Sequence, residues 1–565
     1  MHSEPRNDQH AHAPTALTGA GAFYVTTPIY YVNDRPHIGS CYTTLVADVV
    51  ARYQRLFGRD VLMLTGTDEH ADRVFGKAVE HGVTPRQWAD RCSAEFVRAF
   101  ADLNIHPDVF YRTSDEHHKA LAAQHIRELQ RRGDVYVGDY VGWYDVSQDE
   151  YLTETVAKAS GYVSPVSGKA LEQRTEKNYF FRLSAYESRL RAHIEANPDF
   201  VQPGARRNEV LGRLREGLQD VPVSRAIRSG EPDWGDWGVR MPDDPGHRVY
   251  VWIEALFNYL TAVEMPGRER YWPASVHLMA KDILWFHAVI WPAMLMALDR
   301  PLPRAVYAHA YFVREGRKMS KSLGNFVDID TVRAYVARFG RDAFRWYLAT
   351  QGPMHSTDAD FSYAKFVEVY NAELANGLGN STSRVGNMIA KYFDGRVPDG
   401  AGVSELESLR GQGFDWEAII NNAVRSAIAK GDALEIGGAL REGVELVKRV
   451  DAYINVTEPF KMAKRLEGEG GGAVRAELGT ILYQCAEALR VASVLMSPAI
   501  PDASARLASS WGFEVPVCHA TRTLYHITRW GGEHSLRPGQ ALSKGEALFM
   551  RADPAEPEPS GTGGA

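Results

Sequence analysis

Ala22-Phe23-Tyr24-Val25-Thr26-Thr27-Pro28 and Asp60-Val61-Leu62-Met63-Leu64-Thr65-Gly66 are the two stretches whose reading decides the fold. The second is apolar without alternation, as a strand covered on both faces of a sheet must be. Between them Leu45, Val46, Val49, Val50, Tyr53 and Leu56 recur at helical spacing, and Gly58 closes the helix. The first strand is expected to end at Pro28, with a loop over residues 29–36. Strand, helix and buried strand make a βαβ unit, half of a doubly wound parallel sheet.

Outward from that unit the character changes. Residues 1–21 show no periodicity and predict a mobile tail, in which His2, His10 and His12 are solvated. From about 119 to 221 short β-like pieces alternate with Gly, Ser and Pro, followed by an Arg-rich helical stretch. Strand and helix alternation returns at Arg248-Val249-Tyr250-Val251-Trp252, at Val276-His277-Leu278-Met279 and at Ala305-Val306-Tyr307. The expectation is one parallel sheet, over 22–118 and 222–316, interrupted by an insertion over 119–221. Residues 317–365 form a connecting segment. Helical patterns then fill 366–553 and predict an all-α bundle. Residues 554–565 are rich in Pro, Gly, Ser and Glu and predict a second disordered tail.

Composition narrows the function classes. At 565 residues, 45% hydrophobic and 24% charged, the chain is globular, with room for several domains. Its 4 cysteines contain no C-x-x-C pair, so a reducing, cytoplasmic setting and no cysteine-held zinc are expected. The longest apolar run, Ile283 to Leu298, is broken by His287 and is too short to span a membrane. With a net charge of −7, a nucleic-acid partner has to be held by local basic patches.

Two motifs carry chemistry. Pro36-His37-Ile38-Gly39-Ser40 lies where the first strand hands over to the first helix, the crevice in which such sheets bind ligands. The helix N-terminus offers N–H groups to phosphate, His37 a donor, and Gly39 a close approach. Taken alone, such a histidine is more often a cap. The second motif, Arg317-Lys318-Met319-Ser320-Lys321-Ser322-Leu323-Gly324-Asn325, is a basic loop between glycines that can fold onto a polyphosphate. Alone it reads as a solvated turn. Their order, one after the first strand and the other after the last, decides against both bland readings.

With these motifs the sequence resembles the class I aminoacyl-tRNA synthetases, and among them the family specific for methionine. The resemblance runs from about Phe23 to about Asp553. It also rests on Tyr24 to Asn33, Thr65-Gly66-Thr67-Asp68-Glu69-His70, Tyr250-Val251-Trp252-Ile253-Glu254-Ala255, Ala280 to His287, and Asn371 to Asn380. It implies a Rossmann-type catalytic domain split by a connective-peptide insertion, then a stem-contact segment carrying KMSKS, then an α-helical anticodon-binding bundle. It implies methionine, ATP with Mg²⁺, and methionine tRNA, both initiator and elongator, as substrates. By similarity Ile29, Tyr31, Trp252, Ala255, Tyr259, Ile283 and His287 cage the methionine side chain, and Asp68 holds its ammonium. His37, Gly39, Ser40, Asp282, Lys318 and Lys321 meet ATP; of these His37, Ser40, Lys318 and Lys321 serve the chemistry. Asn380 and Arg384, four apart on one helix face, read the anticodon with Phe460, which stands where a tryptophan is common.

The sequence departs from the family in places. Ser40 replaces the second histidine of the first signature; its hydroxyl, at an exposed helix start, is expected to donate to a phosphate. The insertion segments Trp143 to Gln148 and Val163 to Gly168 hold no Cys or His where relatives carry a zinc knuckle, so no structural zinc is expected there. Tyr151, Tyr162 and Val163 are expected to hold that knuckle instead. After Arg551 no appended oligonucleotide-binding barrel is expected, and with that a monomer is expected. A tRNA-free adenylate-forming ligase would have no use for the bundle, and the aromatic set near Trp252 argues against cysteine or valine. A non-catalytic tRNA-binding relative is invited by Ser40 alone and opposed by His37, Asp68, Lys318 and Lys321.

Overall fold

The computed structural model describes residues 21–33, 35–145, 150–152, 154–164, 168–227, 237–319, 324–399, 413–467, 470–515, 523–543 and 545–561. Its centre is a parallel sheet of β1 (Ala22–Tyr31), β2 (Asp60–Asp68), β3 (Val109–Arg112), β4 (Val201–Gln202), β5 (Val276–Ala280) and β6 (Val306–His309). The spatial order is β3–β2–β1–β5–β6–β4, every neighbouring pair parallel. The order reverses between β1 and β5, which opens a crevice at the carboxyl ends of the strands.

β1 runs three residues beyond Pro28, where the sequence placed its end. A register shift between Thr26 and Ile29 absorbs the proline, and beyond Thr26 the strand pairs only with β2. The missing N–H therefore costs no ladder bond. β4 also differs from expectation, since it joins the central sheet from inside the segment assigned to the insertion. Two paired residues are too short a signal to find by pattern. The insertion proper is a four-stranded antiparallel sheet of Val135–Asp145, Glu150–Leu152, Glu172–Phe181 and Val221–Pro222. At its tip Trp143 and Tyr162 lie 4.3 Å apart, Tyr162 donates to Glu154, and the turn closes through Ser164 N–H to the Lys169 carbonyl, 2.7 Å. Val163 is 38% exposed and so is no core residue, and the side chain of Tyr151 lies outside the described residues.

Helix α1 (Ile38–Leu56) follows β1 and α2 (Val251–Leu256) follows a short antiparallel strand, Asp244–Val249. The Tyr250–Trp252 run, expected as strand, is therefore the first turn of a helix. After the sheet, α3 (Ile329–Phe339) and α4 (Arg341–Gln351) lead into the bundle, whose main helices are α5 (Asn380–Tyr392), α6 (Trp416–Asp432), α7 (Ile436–Thr457) and α8 (Gly471–Met496).

Alternation along β1 divides the packing. Phe23 and Val25 face a core that runs through α1 and α4 into the bundle, while Tyr24 faces the helix Trp291–Ala297. The junction is polar as well as apolar. Arg345 on α4, fully buried, pairs with Asp48 of α1 at 2.7 Å and donates to the carbonyls of Leu103, Pro498 and Ala499. Residues 554–561, expected as a loose tail, are seated on α3. Glu558 accepts from Tyr335 at 2.7 Å and pairs with Arg314 at 2.6 Å, and Arg338 donates to the Pro557 carbonyl. Two glutamates among prolines read as solvated in sequence; three basic or hydroxyl partners on one face give them a seat.

Candidate active site

The crevice holds a cavity of about 460 Å³. Its floor comes from the carboxyl ends of β1, β2, β5 and β6, and its walls from the N-terminus of α1 and from α2. Every residue assigned to methionine by resemblance lines it, as do His37, Gly39, Ser40 and Asp282. Lys318 does not. It is exposed on the short hairpin Phe312–Arg314/Arg317–Lys318, with Asn325 donating to its carbonyl. Lys321 lies outside the described residues.

One half of the cavity is aromatic. Trp252 stacks on Phe286 at 4.5 Å and meets the Tyr31 ring edge-on at 5.5 Å. Tyr259 donates to His287 Nε2 at 2.7 Å, because His287 Nδ1 already gives its proton to the Ile283 carbonyl. Burial keeps this imidazole neutral, with its pKa down at about 4. Tyr24 donates to the Tyr259 carbonyl and fixes that helix from below.

At the end of β2 stands Asp68, 3% exposed, whose Oδ1 has no partner. Burial pushes its carboxyl well above the usual range, and the nearby charge of Glu254 pushes the same way. Glu254 itself, on α2, is buried between His70 and His118, each 2.8 Å away, which outweigh its burial and hold it well below the carboxylate norm. Glu69 is neutralised in turn by Arg112, at 2.7 and 3.0 Å, and accepts from the Ser93 hydroxyl at 2.6 Å. The acid that stays unpaired is thus the one facing the cavity. An unpaired buried carboxyl oxygen beside an apolar aromatic pocket is a place for a cationic group.

The other half is the start of α1. His37 is the N-cap, its Nδ1 accepting from the Gly39 N–H at 3.0 Å. The ring lies over residue 39, where a Cβ would come within 2.8 Å of His37 Cε1. Gly39 thus makes room for this ring. Ser40 departs from its expected exposure. It is 5% exposed rather than at an exposed start, and its hydroxyl donates to the His37 carbonyl at 2.9 Å while accepting from the His37 N–H at 3.1 Å. That completes a capping box, in which the hydroxyl proton is engaged by the backbone. The backbone of His37 forms an antiparallel β-bridge with that of Asp328, and Ile38 N–H bonds the Val327 carbonyl, so the first signature docks on the segment just after the second.

On the bundle Asn380 is exposed and Arg384 half-buried, one turn apart on α5. Ser381 donates to Asp451 at 2.9 Å, and Arg384 eases the charge of that partly buried acid. Phe460, 42% exposed, lies in the short helix Pro459–Met462 after α7. Sequence reasoning missed the buried pairs of Glu254, Arg35 at the rim and His309 in the cavity wall. Arg35 stands two residues before His37 and could have been noticed; His118 and His309 carry no local signal.

A family model for class I tRNA synthetases (M) matches residues 23–162 and 158–386. The methionine–tRNA ligase of Streptomyces coelicolor is 41% identical over 95% of this chain and 98% of its own length. That of Bacillus subtilis is 37% identical over 94% of this chain and 78% of its own. This chain belongs to the methionine–tRNA ligases. Among solved structures, the methionyl-tRNA synthetase of Mycobacterium tuberculosis in complex with methionyl-adenylate superposes with a TM-score of 0.80, at 35% identity, over 94% of this chain and all of that one. As a methionine–tRNA ligase the chain joins methionine to ATP and passes the methionyl group to tRNA. Among the described residues no helix is long and apolar enough to cross a membrane.

Proposed function

We propose that the cavity carries both half-reactions with the following division of labour. The thioether side chain enters the cage of Ile29, Tyr31, Trp252, Ala255, Tyr259, Ile283 and His287, where a soft apolar group finds rings and one neutral imidazole. Asp68 takes the ammonium. Its unpartnered, buried Oδ1 is the observation that carries this reading, since a carboxyl left so is otherwise a cost. A charge-assisted bond there contributes about 1.5–3 kcal/mol.

The methionine carboxylate then attacks the α-phosphorus of ATP. The bond from that phosphorus to the oxygen bridging to the β-phosphate breaks, and pyrophosphate leaves with the electron pair. His37 and the N-terminus of α1 face the phosphates, and Asp282 the ribose. Lys318 and Lys321 close onto the leaving group when their loop folds over the cavity. Mg²⁺ enters with the nucleotide, as part of the substrate. In the second step a hydroxyl of the terminal tRNA adenosine attacks the methionyl carbonyl and releases AMP. Asn380, Arg384 and the exposed ring of Phe460 meet the anticodon of initiator and elongator methionine tRNA. A monomer in a reducing cytoplasm belongs to the same proposal; among the described residues Cys41, Cys92 and Cys485 are free thiols, as a reducing compartment keeps them. ATP–pyrophosphate exchange tests the reading: it should require methionine, and exchange supported equally by leucine or valine would sink the cage assignment.

A further inference from the structure

The triphosphate of ATP is a polyanion, yet the cavity is poor in positive charge. It is lined by the acids Asp68 and Asp282, and its histidines include His287 and His309, both kept neutral by burial with pKa values down at about 4. Ser40 brings no charge, and its hydroxyl proton is committed to the His37 carbonyl. Lys318 is exposed outside the lining. Among the described residues one arginine and no lysine line the cavity, and that arginine is Arg35.

Arg35 is held in a cradle at the rim. Its Nη1 and Nη2 donate to the two carboxylate oxygens of Asp330 at 2.7 and 3.0 Å, and its Nε donates to Glu95 at 2.9 Å. The side chain is half exposed. Each cradle acid has a second cation, Arg333 for Asp330 and Arg98 for Glu95, both at 3.4 Å. Asp330 also sits in the first turn of α3, where the helix dipole favours a negative charge whether or not Arg35 is there. A guanidinium that turns to a phosphate therefore leaves Asp330 and Glu95 each with another cation. Its planar fork suits a pair of phosphate oxygens better than a lysine would.

We propose that Arg35 is a catalytic residue of this chain, contacting the β- and γ-phosphates of ATP and stabilising the leaving pyrophosphate in place of the cation that Ser40 does not provide. This rests on the placement of ATP against the start of α1. Charge grows on the pyrophosphate oxygens as the bond to the α-phosphorus breaks, so a guanidinium aimed there acts on the transition state more than on bound methionine.

The test combines Arg35→Ala, Arg35→Lys and the double variant Glu95→Gln/Asp330→Asn, each read by rapid-kinetic adenylate formation, by equilibrium binding of Mg·ATP and of methionine, and by tRNA charging. Arg35→Ala should slow adenylate formation by about a hundredfold, the scale of losing one preorganised donor. It should also weaken Mg·ATP while leaving methionine affinity unchanged. Arg35→Lys should recover part of the rate, and the double variant, which keeps the guanidinium, should stay within about tenfold of wild type, short of the loss of one donor. Three results overturn the proposal. Arg35→Ala with a wild-type adenylation rate removes the role. A double variant as slow as Arg35→Ala makes Arg35 a latch between the two signatures. Normal adenylation with impaired charging makes it a tRNA contact. Loss of all methionine-dependent exchange in the wild-type protein would instead overturn the placement of ATP itself.

Discussion

A serine hydroxyl has one proton to give, and at Ser40 it goes to the His37 carbonyl. Removing it should act on the helix start more than on catalysis. Ser40→Ala is expected to lower stability by about 1 kcal/mol, the usual worth of a capping side chain. Adenylate formation should change by less than tenfold, and calorimetry with rapid kinetics separates the two; a hundredfold slower adenylation would return Ser40 to the phosphates. His309 makes a second prediction, about pH. Burial holds its pKa near 4, below the ordinary histidine value, so the unfolded chain takes up a proton that the folded chain refuses. The stability gained by keeping it neutral is fully present above about pH 6.5 and is lost as pH falls toward 4. His309→Gln cannot take that proton, and its Tm should fall less steeply than wild type between pH 6.5 and 4.5. Equal slopes would mean that His309 titrates normally in the folded protein.

Local elements were legible where they obeyed a single period. The helix from Leu45 to Leu56 and the unbroken apolar run of β2 could be read directly, because large apolar residues recur at helical spacing in the one, although α1 is buried on nearly all its faces, and without alternation in the other. Trp252 could not. Val249, Tyr250, Val251 and Trp252 favour a strand locally, and only the packing of Trp252 on Phe286 and Tyr31 shows why the chain turns helical there. The insertion carries its own prediction. With Trp143, Tyr162 and Glu154 in mutual contact at its tip and neither cysteine nor histidine in the knuckle segments, purified protein should contain no stoichiometric zinc by metal analysis. Chelation that spares Mg²⁺ should leave exchange unaltered. One zinc held tightly per chain would contradict this.

At the scale of the molecule, the catalytic domain and the bundle share one core, and Arg345 is the polar bolt through it. Without it Asp48 keeps Arg52, at 2.7 Å, but the carbonyls of Leu103, Pro498 and Ala499 lose this donor, and each buried group left unsatisfied costs about 1–3 kcal/mol. Arg345→Ala should therefore lower Tm clearly and weaken tRNA charging more than methionine-dependent exchange, because the cavity is built without it. An equal loss in both assays would mean that the junction supports the cavity directly. Strand and helix alternation made the split sheet readable from sequence and helical periodicity the bundle, while most of the cavity lining came from the resemblance to the methionine-specific family. What stayed hidden depended on side chains meeting across long separations, such as His118 with Glu254, or on one hydroxyl turning to the backbone of its own helix start. The most direct measurement is equilibrium binding of methionine to wild-type protein and to Asp68→Asn, which keeps the shape and removes the charge. Affinity should fall by about 10- to 100-fold, the range of one charge-assisted hydrogen bond, with the folded state retained. Unchanged affinity in a folded Asp68→Asn variant would contradict the assignment of the cavity's unpaired acid to the methionine ammonium.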